Sequence, residues 1–93
     1  MDLFQFADKM GRELVVRRKP YTKEFWCSIP ESSVMMASSK RFLGEMRGTG
    51  KSVKSAMQAY VRNIRDRIVT FHEDDRSSRV GWRAPKNLRV PKL

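Results

Sequence analysis

The segment Gly48-Thr49-Gly50-Lys51-Ser52-Val53 joins two glycines to a serine and then to a helical apolar stripe, and it constrains the chain more than any other stretch. Glycine reaches positive φ without a Cβ penalty, and a serine side chain accepts a hydrogen bond from a free amide of a first helical turn. The junction predicts a turn at 48–50, an N-cap at Ser52 and a helix from Val53 to about Arg67. Val53, Ala56, Met57, Tyr60 and Ile64, with Ile68 beyond, follow the 3.6-residue period, while Lys54, Gln58, Arg62 and Arg65 run along another flank. One face packs and another stays positive. Free amides and the dipole at the helix start favour an anion, with Lys51 and Lys54 beside them; the alternative is a strand-to-helix turn in which Gly and Ser serve structure alone.

The rest of the chain alternates element types. Leu3, Phe6, Ala7 and Met10 fall at helical spacing between Asp2, an N-cap, and Gly11, a C-terminal stop. Glu13 to Arg18 and Glu24 to Ile29 read as strands separated by the turn Lys19-Pro20-Tyr21-Thr22. Phe25, Cys27 and Ile29 share one face of the second strand, leaving Trp26 and Ser28 on the other, so Trp26 faces solvent, a helix or a partner. Residues 32–40 read either as a long hairpin loop or as a ribbon. Arg41 to Arg47 alternates as a third strand into the glycine turn. Arg67 to Phe71 has strand content, His72 to Ser78 is a charged turn, and Arg79 to Trp82 returns as a partner strand. The expected fold is α+β: a small antiparallel sheet of three to five strands, one main helix on one face, and a short N-terminal helix.

Charge narrows the function. Twenty Lys and Arg against ten Asp and Glu give +10 over 93 residues, which points to a polyanionic partner rather than a small substrate. Residues 1–46 carry a net +2 and residues 47–93 a net +8, so the second half holds the excess. Cys27 is the single cysteine, which excludes an intramolecular disulfide framework and an all-thiolate zinc site within one chain. No apolar run approaches the roughly 20 residues that span a bilayer, and no secretory signal pattern opens the chain, so a cytoplasmic protein without membrane contact is expected.

The C-terminal segment adds a second basic feature. Arg76, Arg79, Arg83, Lys86, Arg89 and Lys92 occur with no acid after Asp75, and Trp82 stands between the arginines as a stacking surface. In a polyproline-like conformation with three residues per turn, Lys86, Arg89 and Lys92 line one edge between Pro85 and Pro91. Residues 1–84 therefore read as one α+β domain and 85–93 as a basic, Pro-containing tail with little core beyond Trp82. Leu88, Val90 and Pro91 support the opposite arrangement, a docked extra edge strand.

From Leu14 to Leu88 the chain resembles a group of small phage-encoded proteins with a βββα core. In these, a strand with an exposed Trp precedes a Gly-x-Gly-Lys-Ser/Thr turn, a helix with Ala and Tyr, and a terminal strand pair ending in Pro and Leu. Gly48, Gly50, Lys51, Ser52, Ala56, Tyr60, Ile64, Val69, Phe71, Pro85 and Leu88 carry the match. The strand and helix order also resembles the HicB-type antitoxin fold and the double-stranded RNA-binding domain. The latter has Gly-x-Gly-x-Ser-Lys-Lys-x-Ala-Lys, whose lysines meet phosphates. Here Gly48, Gly50, Ser52, Lys54 and Ala56 match, but Val53 and Met57 replace two of the lysines.

Catalytic motifs are weak by comparison. A phosphate-binding loop requires a glycine at position 45, where Glu45 stands. His72 with Glu73, Asp74 and Asp75 reads as charge balance in a turn before it reads as a metal or proton-transfer site, and a single His supports no triad. The expectation is a non-enzymatic protein without a cofactor that binds nucleic acid or a ribonucleoprotein nuclease complex, with a homodimer possible. Its sharpest form, implied by the phage resemblance, is an inhibitor of a host CRISPR-type nuclease; a general nucleic-acid module or a HicB-like regulator are the alternatives. Lys51, Lys54, Arg62, Arg65, Arg79, Trp82, Arg83, Lys86, Arg89 and Trp26 are the expected contact residues.

Overall fold

A computed structural model describes residues 1–35, 42–43, 46–71 and 81–92. Helix α1 (Leu3–Met10) has both expected ends: the Asp2 carboxylate accepts from the Gln5 amide at 3.0 Å, and the Gln5 side chain accepts from the Asp2 amide at 2.8 Å. Gly11 closes it at φ 67°, the left-handed conformation that glycine holds at least cost. Helix α2 (Val53–Ile64) starts where expected, with a reciprocal pair between Ser52 and Ser55 capping its first turn. It ends one turn earlier than its periodicity predicts. Asp66 takes φ 57° and the Arg67 amide returns to the Ile64 carbonyl, so Ile68 leaves the helical stripe and opens a strand.

Among the described residues, seven strands form two antiparallel sheets. The first has the order β1-β2-β5, from β1 (Val15–Arg18), β2 (Phe25–Ser28) and β5 (Gly48–Gly50). The second has the order β4-β3-β6-β7, from β3 (Ser32–Met35), β4 (Phe42–Leu43), β6 (Ile68–Phe71) and β7 (Gly81–Arg83). The chain passes between them at Pro30-Glu31, where Glu31 has φ 63° and the Ser32 hydroxyl donates to the Ile29 carbonyl. The start of the 32–40 stretch is thus a strand, paired with β6 through Ser32–Phe71, Ser33–Thr70 and Val34–Val69. Residues 36–41 lie outside the described set, as do His72, Glu73, Asp74 and Asp75.

The glycine segment departs from expectation. Residues 48–50 are a strand rather than a turn, paired with β2 through Cys27–Gly48 and Phe25–Gly50, and neither glycine has positive φ. Both are there for close approach. A Cβ at Gly48 would lie 2.2 Å from the Tyr60 amide nitrogen and 2.3 Å from the Ala56 carbonyl oxygen; one at Gly50 would meet the Ser55 hydroxyl at 2.3 Å. Helix α2 therefore lies directly on β5, and its Ala56, Met57, Tyr60, Val61 and Ile64 are buried there. Leu3, Phe6 and Ala7 of α1, Cys27, Ile29, Val34 and Val69 of the sheets, and Ala84 and Leu88 complete one core.

Ala84 and Leu88 are both fully buried, which corrects the expectation of little core beyond Trp82. The segment after β7 runs back to the N-terminus. The Leu3 amide donates to the Arg89 carbonyl at 3.0 Å, the Arg89 amide donates to the Met1 carbonyl at 3.3 Å, and Asp2 and Arg89 form a parallel bridge. Residues 85–92 are docked on α1 in the manner that Leu88, Val90 and Pro91 suggested, by one bridge rather than a full strand.

Candidate nucleic-acid interface

Docking brings the two basic features of the sequence together. Lys51, Lys54, Arg62 and Arg65 are all exposed along or beside α2, and Lys86, Arg89 and Lys92 are exposed on the C-terminal segment. Leu88 and Pro91 point inward between them, so the cations share the outer edge, as three-residue periodicity requires. The Arg65 Nε donates to the Leu88 carbonyl at 2.8 Å, tying the end of α2 to the segment across 23 residues of sequence. At the other end of the helix, Lys54 and Lys92 line one hollow with Val90 and Pro91, of about 380 Å³. A neighbouring hollow of about 570 Å³ is lined by Asp2, Phe4, Arg89, Val90, Pro91 and Lys92. Exposed cations thus flank both places where α2 meets the docked segment, a basic border whose charge favours an anion.

The remaining expected residues lie elsewhere. Arg83 is held at Asp66, with its guanidinium 3.3 Å from the carboxylate and 3.0 Å from the backbone carbonyl, which offsets its charge locally. Trp82 is half-buried against the core opposite Val69, and Arg79 lies outside the described residues. Trp26 projects from the first sheet on the side away from α2, because Cys27, its neighbour in β2, faces the helix with Gly48. There Arg47 lies over its ring at 4.4 Å and the Lys19 ammonium at 5.6 Å, with Arg17 directly opposite on β1. Sequence reading picked Trp26 and missed these three cations. The alternation of Val16 and Arg17 was the available signal for one of them; the approach of Arg47 follows only from the β2–β5 register.

Cys27 is buried, and desolvation pushes its thiol up from 9.0 to about 12. Burial keeps it away from solvent in the folded protein. The unfolded thiol ionises above 9 while the native one does not, so this group favours unfolding increasingly as pH rises from 9 towards 12. Ellman's reagent is expected to label Cys27 at neutral pH only in denaturant, and Cys27→Ala should lose this part of the alkaline destabilisation in urea melts. Rapid labelling of the folded protein would contradict its burial.

No protein-family model, curated protein or solved structure matches the chain. No helix among the described residues is long and apolar enough to cross a membrane, and no three His, Cys, Asp or Glu among them gather as metal ligands.

Proposed function

We propose that this protein binds a nucleic acid or a ribonucleoprotein through the basic border formed by α2 and the docked C-terminal segment, without catalysing a reaction. The observation that carries the reading is the convergence of two cationic stretches, distant in sequence, on one edge, with Lys54 and Lys92 lining a common hollow. Like charges gathered on one edge repel one another, and a bound polyanion would relieve that repulsion. In its sharpest form the target is an RNA-guided nuclease of a host, whose guide or target strand offers the phosphates; that form rests on the resemblance to small phage proteins.

Fluorescence anisotropy with a labelled RNA or DNA, repeated over a salt series, tests the reading. Affinity should fall linearly on logarithmic axes, and the combined variant Lys54→Ala, Arg62→Ala, Lys92→Ala should flatten the slope by about 2–3, at roughly 0.7–0.9 per lost phosphate contact. Affinity indifferent both to salt and to these changes would remove the border from function. A pull-down from host lysate with and without nuclease treatment then separates a protein partner from a nucleic-acid bridge.

A further inference from the structure

The face of the first sheet turned away from α2 carries a hollow of about 260 Å³, lined by Val15, Arg17, Trp26, Ser28, Pro30 and Arg47. Strand register assembles it. Val15 stands opposite Ser28 and Arg17 opposite Trp26, so alternate residues of β1 and β2 meet on this side while Val16 and Cys27 turn to the core. Trp26 supplies an aromatic surface, Arg47 lies over it at 4.4 Å, and Lys19 approaches the ring at 5.6 Å. Among the described residues that line it, none is acidic.

We infer that this hollow takes an unpaired nucleotide of a single strand, the base stacking on the Trp26–Arg47 pair and the adjoining phosphate meeting Arg17. The inference rests on the nucleic-acid reading above and deepens it by naming the partner as single-stranded. The mixed aromatic and cationic lining selects this occupant. An isolated phosphate needs cations but gains nothing from an aromatic surface. An apolar peptide would fit Val15, Pro30 and Trp26 but would leave the exposed Arg17 to be desolvated without gaining an anion. A base with its phosphate satisfies both halves, since bases stack on aromatic rings and on guanidinium planes alike. A duplex keeps its bases stacked inside, where they cannot enter a hollow on a sheet.

The hollow also lies across the sheet from the border of α2 and the C-terminal segment. A flexible single strand can pass from one to the other around the edge of the sheet, whereas a stiff duplex cannot follow that path. The two contacts are therefore separable by mutation.

The experiment uses the full chain in a Trp82→Phe background, so that fluorescence reports Trp26 alone. Titration with a single-stranded uridine oligonucleotide should quench the signal, while inorganic pyrophosphate at equal ionic strength should not. Trp26→Ala should weaken the single strand by about 5- to 150-fold, corresponding to about 1–3 kcal/mol for one stacked base, and Trp26→Phe should retain most of the affinity. Arg17→Ala, which keeps the ring in place, should weaken binding as well, and it decides the matter if Trp26→Ala does not fold. Unchanged single-strand affinity in Trp26→Ala, or in Arg17→Ala where the first is unfolded, overturns the inference. If the border variants still lose affinity, the reading of the border stands without it. Equal quenching by pyrophosphate also overturns it, because the hollow would then be an anion site with no use for a base. Loss of salt-dependent binding to every nucleic acid would sink both.

Discussion

Gly48→Ala is expected to lower stability by about 3 kcal/mol or more, at or above the upper end of ordinary overpacking. The added Cβ would sit 2.2 Å from the Tyr60 nitrogen, 2.3 Å from the Ala56 oxygen and 2.6 Å from the Tyr60 Cα. All three are backbone atoms of α2, so no side chain can rotate to make room. The helix as a whole must lift from β5, and with it Ala56, Met57, Tyr60 and Ile64, which carry much of the buried apolar surface. For a domain whose total stability is roughly 5–15 kcal/mol, such a loss leaves little margin at physiological temperature. Gly11→Ala is the internal comparison. Nothing lies within 4 Å of its added Cβ, and its cost comes only from the positive φ, about 1–2 kcal/mol. Urea melts of the two variants should therefore differ in midpoint, with Gly48→Ala far lower; equal melts would mean that α2 does not rest on β5 as described.

The same glycine shows where sequence reading loses its grip. A turn and a close helix contact both select glycine, and only the atoms that face it distinguish them. Those atoms belong to Ala56 and Tyr60, up to twelve residues away, and no local pattern contains them. What is local was legible: the Asp2 and Ser52 caps, the Gly11 stop, the alternation that turns Cys27 inward, and the stripe from Ala56 to Ile64. Strand pairing was not: residues 32–40 read equally as a loop or a ribbon, and nothing local places Val34 against Val69. The early end of α2 belongs to the same class. Ile68 fits both the helical period and the strand content of residues 67–71, and pairing with Arg83 on β7 decides for the sheet. At the candidate interface the charged residues were legible one by one, whereas their grouping depended on contacts such as Arg65 with Leu88.

Truncation after Ala84 should abolish the cooperative thermal transition, although the described residues it removes, 85–92, carry no regular helix or strand. Leu88 is fully buried, and deleting a buried leucine side chain alone costs about 2–5 kcal/mol. The truncation also removes the acceptor of the Leu3 amide, the donor to the Met1 carbonyl and the carbonyl that receives Arg65 Nε. Each such bond is worth about 0.5–1.5 kcal/mol net, and Leu3, itself fully buried, would be left with an unpaired amide beside a void. These losses fall together on α1, which has only eight residues and cannot stand without its packing. Point variants divide the segment's two roles. Leu88→Ala should lower the urea midpoint substantially while leaving the charge border intact, and the pair Arg89→Ala, Lys92→Ala should melt close to wild type but bind nucleic acid with a flatter salt slope. A truncated protein that keeps the wild-type melting profile would show that residues 85–92 contribute nothing to the core, and the border along α2 would then lose the half that the docked segment provides.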